Sequence, residues 1–128
     1  MSATFRLQYQ RIAQARSIVG VHVDPALIET RLKARSTVRR YVSGLIVVAV
    51  FIGPGAGPGE WIAHEFEHII EQLDGLHLAD MARDRLGQAW FSGADSIETG
   101  RAVRAGQAVR EELRHGISRS DNFGRWST

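Results

Sequence analysis

The segment Gly53-Pro54-Gly55-Ala56-Gly57-Pro58-Gly59 constrains this chain more than any other stretch. Glycine and proline fill six of its seven places, and such a run continues neither a strand nor a helix. Whatever precedes it must end near residue 52, and whatever follows must start afresh. Before it, Leu45 to Ile52 is β-branched and almost wholly apolar, the pattern of a buried strand. Ser36 to Val42 alternates Thr37, Arg39 and Tyr41 with Val38, Arg40 and Val42, as a half-exposed strand does. Ser43-Gly44 between them suits a hairpin turn. Ser17 to Val23 is a third short strand, stopped by Asp24-Pro25. Pro25 then opens a short helix through Leu32 with Asp24 as its N-cap, and Phe5, Tyr9, Ile12 and Ala13 place a helix at the start of the chain.

After the break the periodicity changes. From Glu60 to Leu73 the apolar residues Ile62, Phe66, Ile69, Ile70 and Leu73 recur at helical spacing and form one stripe. His64 and His68 project together from the opposite side. Gly75 is placed to stop this helix in a left-handed conformation. A further helix spans Leu78 to Leu86 and ends near Gly87, and a last one begins at Asp95 or Ser96 and runs to about His115.

Several classes of protein fit poorly. The chain of 128 residues suits one domain, taken as 1–117 with a polar, flexible tail at 118–128. Cysteine is absent, which leaves His, Asp and Glu as the available metal ligands. Met1 to Gln10 lacks the layout of a signal peptide, and the longest apolar run is too short to span a bilayer. The expectation is a soluble chain, cytoplasmic by default, with no membrane partner. Arg35, Arg39 and Arg40 form a basic cluster, but the net charge is only +2 and the other arginines lie among acids. A basic nucleic-acid-binding module is therefore a minor alternative.

His64-Glu65-Phe66-Glu67-His68 has the pattern H-E-x-x-H. One helical turn brings two imidazoles close enough to share a zinc ion at about 2.0–2.1 Å from each nitrogen. Glu65, next to the first histidine, is placed to take a proton from a water that zinc has acidified. The bland alternative is that His64, Glu67, His68 and Glu71 are merely the solvated face of an amphipathic helix.

A catalytic zinc normally takes three protein ligands, and three carboxylates compete for the third place. Glu71 lies farther along the same helix and completes a tetrahedron poorly. Asp74 stands ten residues after His64, but Glu71 occupies the place where a glycine would let the chain turn back. Glu98 continues the inward stripe expected for the last helix, Ala102, Ala105, Val109 and Leu113. A lone inward glutamate needs a partner, because burying its charge unpaired is costly. Glu98 is therefore the preferred third ligand.

The stretch AHEFEH, with ETGRA downstream, resembles the paired helix motifs of the gluzincin class of zinc peptidases. In that class the second motif commonly reads E-x-x-x-D or E-x-x-A-D, and here Ala102 stands where the aspartate would be. The resemblance covers the span from Ser36 to Leu113. It implies an α+β, zincin-like fold, with a small sheet of about three strands packed on the H-E-x-x-H helix and a downstream ligand helix. It also implies a Zn2+ cofactor held by His64, His68 and Glu98, with Glu65 as catalytic base and a peptide or protein as substrate. Either Leu45 to Ile52 or its hairpin partner would form the sheet edge and take the substrate by strand addition. His77, Arg101, Tyr41 and His115 are unranked candidates for stabilising the transition state, and His22 is expected to be structural. A non-catalytic metal-binding or interaction domain of the same shape is the main alternative.

Overall fold

The computed structural model describes residues 2–30, 32–55, 57–84, 86–93 and 96–126, with side chains in the last helix described as far as His115. In chain order the elements are helix α1 (Ala3–Gln14), strand β1 (Ser17–Val23), a 3-10 turn at Pro25–Glu29, strands β2 (Ala34–Arg40) and β3 (Ile46–Ile52), helices α2 (Pro58–Leu73) and α3 (Leu78–Arg83), strands β4 (Ala89–Gly93) and β5 (Ser96–Thr99), and helix α4 (Gly100–Trp126). The class is α+β. No described helix is long and apolar enough to cross a membrane.

The run Leu45 to Ile52 is apolar because β3 is the central strand. It pairs in parallel with β1 and antiparallel with β2, in the order β1-β3-β2. The edge beside the hairpin is thus β2, not β3. Ile46, Val48, Val50 and Ile52 turn to the helices and form the core with Ile12, Ala34, Ile69 and Ile70. Val48, Val50 and Ile69 are essentially sealed from solvent, and burial of such a side chain stabilises by about 1.5–3 kcal/mol. The hairpin loop is wider than two residues. Tyr41 N–H bonds to the Leu45 carbonyl at 2.9 Å, and Gly44 adopts the left-handed conformation with φ 89°.

Helix α1 lies in a different phase from the one its aromatic spacing suggests. Gln8 and Ile12 are buried, whereas Tyr9 is 68% exposed. Gln8 is tolerated inside because its amide donates to the Ala63 carbonyl at 2.9 Å and to Glu67 Oε2 at 3.2 Å. Phe5 meets Phe66 edge-on at 5.7 Å.

Helix α2 starts where the glycine-proline break allows. Gly57 sits at the N-cap with positive φ and Pro58 occupies the first turn. Gly75, φ 77°, ends the helix, and Leu76 N–H closes back on the Glu71 carbonyl at 3.0 Å.

The last helix differs most from the sequence expectation. Its first residue is Gly100, and Thr99 caps it by accepting from Ala102 N–H at 3.1 Å. The segment before it is strand β5, paired antiparallel with β4 so that Trp90 opposes Glu98 and Ala89 opposes Thr99. Glu98 is therefore a strand residue, not part of the helical stripe. Asp95, the other expected start, lies outside the described residues. The face of α4 that meets α2 is built from Ala102, Gly106 and Val109, all buried, while Ala105 is only half-buried. At Gly106 a Cβ would stand 2.9 Å from the Glu60 carbonyl oxygen and 3.5 Å from His64 Cβ. Glycine is what lets the two helices come this close.

Candidate metal centre

Helix α2 is covered on both sides, and this decides how its polar face must be read. His64 is 7% exposed, Glu65 8% and Glu71 1%. A solvated face is thereby ruled out, and each of these groups needs a partner within the protein.

The partners fall into two sets. One is structural: Glu67 accepts from Arg101 Nε at 3.0 Å as well as from Gln8, Glu60 lies 3.5 Å from Arg110, and Asp74 is held by Arg11 and Arg101 at 3.0 Å each. Asp74 is thus a helix-end ion-pair residue. The other set converges. Glu98 Oε1 lies 2.8 Å from His64 Nε2 and 3.2 Å from His68 Nε2, and it also accepts from Thr99 N–H at 2.9 Å. The two imidazole rings stand 5.1 Å apart and steeply inclined. The ligand atoms of His64, His68 and Glu98 all lie within 4.8 Å of one another, and they are able to hold a metal ion. Ligand atoms of a tetrahedral zinc site, about 2.0–2.1 Å from the ion, stand roughly 3.3 Å apart. Both nitrogen–oxygen distances are close to that spacing, and two imidazoles with one carboxylate are a donor set that suits zinc.

Charge is arranged to match. Burial disfavours the imidazolium of His68, but hydrogen bonds to Glu71 and Glu98 and the nearby charge of Glu65 outweigh it and raise the pKa to about 10. Burial also disfavours the charged form of Glu98, yet hydrogen bonds from His64 and His68 bring its carboxyl down to about 2. Both shifts favour positive charge beside the Glu98 carboxylate.

Two supporting residues are not evident from the motif. Glu71, set aside above as a ligand, lies beneath His68 with Oε2 3.4 Å from Nδ1, on the ring edge away from Glu98. Its other oxygen accepts from Thr99 Oγ1 at 2.5 Å. Thr99 is thus the helix cap, the neighbour of Glu98 and the anchor of the carboxylate that orients His68. Ser36, on β2, donates its hydroxyl to Glu65 Oε2 at 2.8 Å. The helical spacing from His68 to Glu71 hints at the first contact; nothing local in the sequence announces the second.

The remaining candidates are engaged elsewhere. Arg101 pairs with Glu67 and Asp74, Tyr41 lies exposed beside Arg39, and His115 stands 3.9 Å from Glu111 on the exposed side of α4. His77 is the exposed N-cap of α3. His22 stacks on Phe51 at 5.5 Å, on the sheet face away from the helices.

The chain matches no protein-family model, no curated protein and no solved structure.

Proposed function

We propose that this chain is a zinc-dependent peptidase of minimal, zincin-like form, with His64, His68 and Glu98 as zinc ligands and Glu65 as general base. The observation that carries it is the convergence of Glu98 Oε1 on both histidine Nε2 atoms from a separate strand. Zinc bound there would acidify a water and polarise the carbonyl of a scissile peptide bond.

The chain's own residues account for the rest. Ser36 fixes one oxygen of Glu65 and leaves Oε1 to take a proton from the attacking water and deliver it to the leaving amine. Glu71 holds the His68 ring from behind, so that Nε2 stays directed at the site. Strand β2 offers the docking rail. Gly53 N–H bonds to the Lys33 carbonyl and Tyr41 N–H to the Leu45 carbonyl, so odd-numbered residues of β2 face β3. Ala34, Ser36 and Val38 consequently turn their N–H and C=O groups to the free edge, next to Glu65. An extended peptide would add there as a further strand. A cavity of about 280 Å3, lined by Leu27, Ile28, Leu32 and Trp61 together with Thr30 and Lys33, lies at the head of that rail, where a substrate side chain would seat.

Elemental analysis and a peptide-library digest test the proposal together. One zinc per chain is expected, lost in His64→Ala and His68→Ala and retained in Glu65→Gln. Glu65→Gln should lower turnover by roughly two to four orders of magnitude. Equal zinc content in wild type and the double histidine variant would sink it. Zinc uptake without hydrolysis would instead favour a non-catalytic metal-binding domain.

A further inference from the structure

The sheet has two margins, and they are built differently. Strand β2, proposed above as the edge that takes a substrate strand, carries Arg35, Arg39 and Arg40, and charges of this kind disfavour pairing with an apolar strand of a second copy. Strand β1 reads Ser-Ile-Val-Gly-Val-His-Val, without a charged residue or a proline. Ile18 is 59% exposed, Val21 42% and Val23 62%. Val21 and Val23 oppose Val50 and Ile52 in register and share their helix-facing side of the sheet, but they remain open.

The backbone direction is fixed by two bonds. Ile46 N–H donates to the Arg16 carbonyl, and Asp24 N–H donates to the Ile52 carbonyl. Even-numbered residues of β1 therefore face β3, and Ser17, Val19, Val21 and Val23 turn their N–H and C=O groups to the free edge. A seven-residue edge without Asp, Glu, Lys, Arg or Pro is, in this state, a template for another strand.

We propose that β1 pairs antiparallel with β1 of a second copy of this chain, about a two-fold axis through Gly20. Gly20 is the midpoint of the strand, so this register uses all seven residues. Ser17 then opposes the partner copy's residue 23, and Val19 opposes residue 21. Both are pairs whose amides already face outwards, and together they give about eight interstrand hydrogen bonds. Ile18 opposes residue 22, and Gly20 opposes itself, in the closely spaced non-hydrogen-bonded pairs. At the axis the His22 imidazole of each copy lies over its own Gly20, with Nε2 3.0 Å from where a Cβ would stand. Valine meets valine on the helix side, and the joined sheet has six strands. Pairing of β1 with the second copy's β2 is disfavoured, because it would bring arginines against an apolar strand. An isologous contact of this kind closes on itself as a dimer instead of growing into a fibre.

Sedimentation of the full chain tests this directly. A monomer weighs 14.2 kDa, and a species of twice that mass is expected. Val21→Lys with Val23→Lys should raise the dimer dissociation constant on the order of a hundredfold by charging the edge, with an unchanged circular dichroism spectrum. An independent arm does not require a destabilised dimer. The natural chain has no cysteine, so Ile18→Cys combined with His22→Cys should give a covalent dimer on mild oxidation. Each single variant should not, because each cysteine then faces a non-cysteine. A monomeric wild type at high concentration, or a dimer that neither responds to the lysines nor cross-links in the double variant, would overturn the proposal.

Discussion

Glu98 Oε1 stands 2.8 Å from His64 Nε2, although one residue belongs to a hairpin strand and the other to a helix packed against the central sheet. What holds them in register is the tight seam between α2 and α4. Ala102 and Gly106 keep that seam narrow, and Thr99 joins the start of α4 to Glu71 on α2. Metal affinity should therefore depend on residues that touch no ion.

Thr99 is the first such residue. Its hydroxyl both caps α4 and satisfies one oxygen of the buried Glu71. Thr99→Val keeps the shape and removes both bonds. It should destabilise the chain by about 2 kcal/mol, since a buried carboxylate oxygen loses its donor and the helix loses its cap. Thr99→Ser should recover most of the loss. Urea unfolding of the three proteins in chelator would measure this, and equal midpoints for wild type and the valine variant would show that Glu71 does not depend on Thr99.

The pH dependence of the metal-free protein follows from the two shifted groups. His68 is raised to about 10 in the fold, so its contribution is complete below its ordinary value near 6.5 and is lost as pH rises through about 10. Glu98 is lowered to about 2, so its contribution is complete above its ordinary value near 4.5 and is lost as pH falls through about 2. Considering these groups alone, stability should be greatest at about pH 4.5–6.5. Thermal midpoints recorded in chelator from about pH 4.5 to 10 are the check, and a midpoint that climbs between about pH 7 and 10 would contradict the sign for His68.

If zinc binds as proposed, it displaces a proton from His68, whose pKa the fold raises to about 10. Binding at pH 7 should release about one proton from this residue, and affinity should rise with pH until the imidazolium is gone near pH 10. Calorimetry in two buffers of different ionisation enthalpy reads the proton count. Binding with no proton release would mean that His68 is neutral in the metal-free protein.

The sequence carried much of the scaffold and the core of the site, for physical reasons that also explain its misses. Strand β1 and helix α2 are bounded by proline and glycine, and their apolar periods are unambiguous, so Ser17–Val23 and the pair His64 and His68 stood out. Glu98 does stand beside the two histidines, but as a residue of strand β5 and not through the helical phase that singled it out. The approach of α4 to α2 through small residues was legible, but the phase pointed to Ala105 where Gly106 makes the contact. The β4–β5 hairpin went unread because its strands are short and their pairing is decided by each other. Helix α4 begins at Gly100 with Thr99 as its cap, four residues past Ser96 and five past Asp95, the two expected starts. The Ser36–Glu65 and Thr99–Glu71 bonds run across the fold, and no local pattern encodes them.

Gly106 gives the sharpest test of the seam. Alanine is the better helix former by about 1 kcal/mol in an exposed helix, so propensity alone predicts that Gly106→Ala stabilises. Space predicts the opposite. The new methyl would stand 2.9 Å from the Glu60 carbonyl oxygen, a backbone atom that cannot turn aside, and 3.3 Å from Glu60 Cγ. Helix α4 must then move away from α2, at a cost of about 1–3 kcal/mol for overpacking. Because His64 Cβ lies only 3.5 Å from the same point, the shift acts on the first histidine as well as on the fold. Gly106→Ala should therefore be less stable than wild type in chelator and should bind zinc roughly ten- to a hundredfold more weakly, an effect of the size seen when groups that orient ligands are disturbed. Denaturant unfolding with and without zinc separates the two effects. A variant more stable than wild type with unchanged zinc affinity would mean that the seam has slack and that Glu98 reaches the histidines without it.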